Sequence, residues 1–108
     1  MINIVRQMKM IKKALLNGAI YISDHSKQRM LSRGYQSVDI IRGILSGTIN
    51  EVQRGFDPVS KADANKFVIE GEDYHGNPIA IVLVESMEGY CLVTTMPPMD
   101  KNRFSNVI

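Results

Sequence analysis

The residues best suited to chemistry lie in one short stretch, Asp24-His25-Ser26-Lys27-Gln28-Arg29-Met30-Leu31-Ser32-Arg33-Gly34. Read as a helix, residues four apart share a face, so His25, Arg29 and Arg33 line one slowly drifting stripe. His25 falls in the first turn, where the positive end of the helix dipole favours a neutral imidazole. A neutral imidazole can take a proton as general base, and one charged by a neighbouring polyanion can act as an acid. The two guanidinium groups offer fixed, forked donors that suit a phosphate and the added charge of its transition state. A base, an acid and cations are the ingredients of metal-independent RNA cleavage. The same spacing also describes a helix-capping histidine beside a solvated arginine face.

Other reactive side chains offer less. His75 lies in His75-Gly76-Asn77-Pro78, which is sufficient as turn chemistry. Cys91 sits among Tyr90, Leu92 and Val93 and reads as a strand residue rather than a nucleophile. His25, His75 and Cys91 share no metal-ligand spacing, and the glycines stand singly, so neither a metal, a phosphate-cradling loop nor a cofactor is expected.

The elements that must position the stripe follow from periodicity. Residues 4–16 read as a helix with Ile4, Met8, Ile11 and Leu15 on one face, ended by Asn17-Gly18. Residues 19–22 form a short extended piece. Ser23 or Asp24 caps a second helix running to about Arg33, closed by Gly34. Ser37 begins a third helix, with Asp39 in its first turn and Val38, Ile41 and Leu45 as its buried stripe, ended by Gly47. Met8 and Met30 read as core filler.

After Gly47 the period changes to two. Strands are expected over residues 48–54, with Ile49 inward, and over 66–73, separated by a polar loop of residues 55–65. Residues 79–85 are largely β-branched and read as a central strand buried on both faces; residues 90–96 form the last strand, stopped by Pro97-Pro98. The final ten residues are polar and expected to be poorly ordered. Helices followed by hairpin-connected strands describe an α+β domain, with helices on one face of an antiparallel sheet.

With 108 residues, 44% hydrophobic and 22% charged, the chain has the size and balance of one globular domain. The longest apolar run, Ile79 to Val84, is too short for a membrane span, and the N-terminus lacks the apolar stretch of a signal peptide. A lone cysteine suits a reducing, cytoplasmic compartment. The net charge of +2 conceals opposed halves: residues 1–54 carry +6 and residues 55–108 carry −4. Such asymmetry suits one face meeting a polyanion. Lys27, Arg42 and Arg54, from the basic half, are candidates for holding substrate.

The Asp24–Gly34 stretch, followed by Ser37-Val38-Asp39-Ile40-Ile41, Gly47 and Ile49, resembles a bacterial family of small domains of unknown function. The hallmark of that family is His-x3-Arg-Met-x2-Arg-Gly, then a Ser-x-x-Asp helix and a glycine leading into a sheet. Tyr35 stands where an aliphatic residue is usual. The resemblance covers about residues 20–96 and includes the strands of Ile79–Val84 and Leu92-Val93-Thr94-Thr95. The family is placed with RelE/BrnT-like toxins, in the barnase–EndoU–colicin–RelE ribonuclease superfamily.

The resemblance implies helices packed on a four-stranded, mainly antiparallel sheet, with RNA bound across sheet and helix ends. It implies His25, Arg29 and Arg33 as catalytic residues, with Thr94 or Thr95 supplying a hydroxyl from the last strand. Period two places these threonines on opposite faces, so only one can line a site. The expected function is that of a toxin-like endoribonuclease needing no cofactor, with RNA as substrate and a small antitoxin as protein partner. The alternative is a non-catalytic module binding nucleic acid or protein through the same basic face. An exposed edge strand would permit self-pairing, and oligomeric state stays open.

Overall fold

The computed structural model describes residues 2–57 and 60–97, so the expectation for the C-terminal tail lies outside the described residues. Helix α1 (Ile4–Leu16) begins where the Asn3 side chain accepts the Arg6 N–H at 3.1 Å. A three-residue strand, β1 (Ile20–Ile22), leads into α2 (Asp24–Ser32) and α3 (Ser37–Ser46). Four longer strands follow: β2 (Thr48–Asp57), β3 (Ala62–Glu72), β4 (Pro78–Ser86) and β5 (Gly89–Met96).

The first two helices end alike. After α2, Gly34 takes φ +84°, its N–H reaches the Leu31 carbonyl at 3.0 Å, and the Tyr35 N–H reaches the Met30 carbonyl at 3.1 Å. This double closure satisfies orphan carbonyls and needs a left-handed residue that glycine adopts without a Cβ penalty. The chain leaving Arg33 is therefore turned sharply, which fixes where α3 begins.

The strands form one sheet in the order β1-β5-β4-β3-β2. Strands β2 to β5 are an antiparallel meander, and β1 pairs parallel to β5 through Ile20↔Tyr90 and Ile22↔Leu92. The α+β class and mainly antiparallel sheet are as expected, but there are five strands rather than four. A three-residue piece whose partner lies seventy residues away carries too little local pattern to announce itself as a strand.

The expected loop at 55–65 is also corrected, because β2 runs to Asp57 and β3 starts at Ala62. Pairing of β3 with β4 begins only at Lys66, so residues 62–65 form a two-stranded ribbon with β2, tied to β4 where the Asn65 N–H and Nδ2 donate to Glu85 Oε1. Water reaches much of such a ribbon, and polar residues suit it. Phe56 lines a hollow with Tyr21, Cys91 and Val93, so the ribbon curls across the sheet toward β5.

The helices cover one sheet face. Ile69, Ile81 and Leu83 meet Ile11, Ile44 and Met30 in a core that also holds Met8, Phe67 and Tyr90. Residues 79–84 of the central strand are all buried, as expected. The inner face of α3 is not the expected one: Asp39, Ile40, Gly43 and Ile44 are buried, whereas Val38, Ile41 and Leu45 are exposed. The helix carries two apolar stripes, and Gly43 selects between them. A Cβ there would stand 2.5 Å from Ile81 Cδ1 and 2.9 Å from Ile79 Cγ2, so only the glycine lets the helix backbone approach the sheet this closely. On α1 the expected stripe holds at Met8 and Ile11, which are buried, and fades at Ile4, which is exposed. Among the described residues no helix is long and apolar enough to cross a membrane.

Candidate active site

Helix α2 starts beside β5 because β1, paired at Ile22↔Leu92, delivers it there. Ser23 caps it, its hydroxyl accepting the Ser26 N–H at 3.1 Å, while Asp24 occupies the first helical position. Met30 is the helix's buried anchor, and His25, Arg29 and Arg33 are exposed.

At the far end of the helix, Arg33 reaches the sheet. Its Nη1 donates to Thr94 Oγ1 at 2.8 Å and to the Thr95 carbonyl at 3.1 Å. Because β1 stops opposite Leu92, β5 beyond that point has no strand on this side among the described residues, and the guanidinium serves that edge. The two threonines are thereby distinguished. Thr95 pairs with Ile81 and is buried, its hydroxyl finding no hydrogen-bond partner among the described residues. Thr94 pairs with Val82 on the opposite face and meets Arg33 through its side chain. A bulge at Val93, where Val82 and Leu83 face Thr94 and Leu92, makes the local kink. Thr95 therefore contributes a carbonyl rather than a hydroxyl.

Thr94 lines a hollow of about 480 Å³ on the open sheet face, with Asn50, Gln53, Lys66, Glu70 and Met96 among its neighbours. The lining mixes both charge signs, and Asn50 Nδ2 donates to Glu70 Oε1 at 3.2 Å. Across the edge, the side chains of His25 and Arg29 make no hydrogen bond or ion pair among the described residues. The three proposed substrate-holding cations are dispersed. Lys27 lines an apolar cavity beneath the helices, Arg42 lines a groove along α3, and Arg54 pairs with Asp63 at 3.2 Å on the β2–β3 ribbon.

Tyr35 is the neighbour that sequence reasoning passed over, noting it only as a departure from an aliphatic position. Burial pushes its phenol up, the carboxylates of Asp73 and Asp39 push the same way, and Arg33 opposes them. The phenol thus keeps its proton at neutral pH as a donor close to Arg33. His75 belongs to the β3–β4 turn: its N–H donates to Asp73 Oδ1 at 2.9 Å and its ring stands edge-on to Tyr74. Cys91 is half-buried on β5; burial, then Asp57, raises its thiol against a lowering hydrogen bond from Ser86.

A family model described as a domain of unknown function, DUF4258, matches residues 22–97. The chain belongs to the DUF4258 family. The match begins at Ile22, the last residue of β1, and ends just after β5, so the DUF4258 unit holds the whole His25–Arg33 stripe together with Thr94. Helix α1 lies outside it. Comparisons with curated proteins and with solved structures find no match.

Proposed function

We propose that this DUF4258 protein is a toxin-like, metal-independent endoribonuclease. The observation that supports the reading is the Arg33–Thr94 pair, which ties the His25–Arg29–Arg33 stripe to an open sheet face lined by both apolar and polar side chains. The resemblance to RelE/BrnT-like toxins agrees with it. In the proposed reaction His25 removes the proton of a ribose 2′-OH, and the 2′-oxygen attacks the adjacent phosphorus. The P–O5′ bond breaks, and the imidazolium returns its proton to the departing 5′-oxygen. The products are a 2′,3′-cyclic phosphate and a 5′-hydroxyl. Arg29 and the remaining donors of Arg33 face the charge that builds on the phosphate oxygens, while Thr94 holds the Arg33 fork in orientation. RNA is the proposed substrate, a small antitoxin the proposed regulator and the cytoplasm the proposed setting.

The test is cleavage of a mixed RNA pool in excess EDTA, with His25→Ala purified identically. The proposal expects the wild type to cut, leaving cyclic phosphate ends, and the variant to bind RNA without cutting. Equal cleavage by both, or by neither, removes it.

A second reading, a non-catalytic binding module, draws on the free side chains of His25 and Arg29. Catalytic groups gain rate by being held in place, and neither side chain has a hydrogen-bond or ion-pair partner among the described residues. Under that reading His25→Ala alters only stability or affinity, and Arg29→Ala weakens a salt-sensitive affinity.

A further inference from the structure

The face of α3 turned away from the sheet is itself apolar. Val38, Ile41 and Leu45 are 46%, 43% and 45% exposed, at the i, i+3, i+7 spacing of a single stripe. With Arg42 and Tyr74 they line a groove of about 530 Å³. Ile41 also lines an apolar cavity of about 250 Å³, walled by Leu15, Ile20, Met30 and Leu92 and including Lys27. The two hollows share Ile41 as a wall. Apolar patches rimmed by polar groups mark places where another molecule sits.

The charge on this surface narrows the occupant. Lys27 and Arg42 are the charged residues lining either hollow, and both are basic. Neither forms an ion pair among the described residues. The one acid on α3, Asp39, is buried and commits both oxygens to the backbone N–H groups of Gln36 and Tyr74. One cation without an ion-pair partner among the described residues beside each apolar hollow is complementary to carboxylates flanking an apolar ridge.

The helices of a second copy do not supply them. Helix α1 contains no acidic residue, α2 has Asp24 alone at its start, and the Asp39 of α3 is buried. Packing helix on helix between copies would set cation against cation. A lipid surface is also a poorer fit, because these side chains line concave hollows, whereas a bilayer is entered by a protruding apolar face.

We infer that α3 and the cavity beside it bind an acidic amphipathic helix of a different protein. Its apolar ridge lies over Val38, Ile41 and Leu45, and its carboxylates meet Lys27 and Arg42. Thr94 opens on the other face of the sheet, so this docking surface stands whether or not the domain cleaves RNA.

The experiment selects from a displayed library of helical peptides of roughly five turns, each with leucine fixed at one i, i+3, i+7 stripe. Flanking positions vary among Glu, Gln and Lys, and the bait is the full chain. Selected peptides should be rich in Glu, and Ile41→Glu and Arg42→Glu should each weaken them by about tenfold or more. Unchanged melting temperatures would show that both variants fold; should Ile41→Glu fail there, Val38→Gln replaces it. Failure to select any peptide, enrichment of Lys or Gln, or binding indifferent to these substitutions overturns the inference. Binding to phosphatidylserine vesicles that is lost in Ile41→Glu, with no peptide selected, overturns it in favour of a lipid surface.

Discussion

Asp39 of α3 and Tyr74 of the β3–β4 turn are joined by a hydrogen bond of 3.0 Å from the Tyr74 N–H to Asp39 Oδ1. The other oxygen accepts the Gln36 N–H at 2.8 Å. One buried carboxylate thus stitches the start of α3, three residues beyond Arg33, to a turn of the sheet.

Replacing Asp39 with alanine leaves two backbone donors without their acceptor. The expected loss is about 2–4 kcal/mol, read from urea denaturation, since two part-buried bonds to a charged acceptor are lost and a bond to a charged group contributes about 1.5–3 kcal/mol. Asp39→Asn, which keeps one acceptor oxygen, should fall between the two. Equal stability of Asp39→Ala and wild type would deny the stitch any role.

Gly43→Ala tests the close approach of α3 to the sheet. The new methyl would collide with fully buried Ile81 and Ile79, and overpacking of this kind costs about 1–3 kcal/mol against at most about 1 kcal/mol gained in helix propensity. Thermal melts should show net destabilisation. Adding Ile81→Val, which deletes the nearest methyl, should recover part of it.

Tyr90 gives a pH signature. Burial and then the Glu85 charge raise its phenol, and its hydroxyl donates to Gln7 Oε1 at 3.2 Å. A folded pKa above the unfolded value near 10 means a contribution fully present below pH 10 and lost as pH climbs through the higher folded value. Denaturation between pH 8 and 11 should therefore show falling stability in the wild type. Tyr90→Phe should cost about 1 kcal/mol at neutral pH and decline less steeply.

The Arg33–Thr94 pair is tested by a double-mutant cycle. Thr94→Val alone should cost about 0.5–1.5 kcal/mol of stability. Arg33→Ala should cost more, because the Thr95 carbonyl at the sheet edge also loses its donor. The double variant should fall short of the sum, since one bond is counted in both. If RNA cleavage is established, Arg33→Ala should reduce it by more than Thr94→Val does.

Helices and strands with strong periods were legible in the residues. The 4–16 helix, the Ser23-to-Gly34 helix and the β-branched central strand stand where their patterns put them. What escaped was decided by tertiary context. Helix α3 carries two apolar stripes, and a contact made by Gly43 across the core, invisible in periodicity, chose the inner one. Composition misled over residues 55–65, since a solvated ribbon and a loop share the same polar residues. Period two separated Thr94 from Thr95, but only the register with Val82 and Ile81 says which side each takes. The spacing of His25, Arg29 and Arg33 was readable; the contact of Arg33 across sixty-one residues to Thr94 was not.

The parallel pairing of β1 with β5 sets an order of assembly. The strand that launches α2 pairs with β5 seventy residues on, so its closure is the longest-range strand pairing among the described residues and among the slowest steps. During synthesis Arg33 leaves the ribosome before the edge that orients it, which does not exist until residues 90–95 have followed. Arg33 and its threonine come together only after β5 has been made, which sets a delay between making the charged side chain and arranging it.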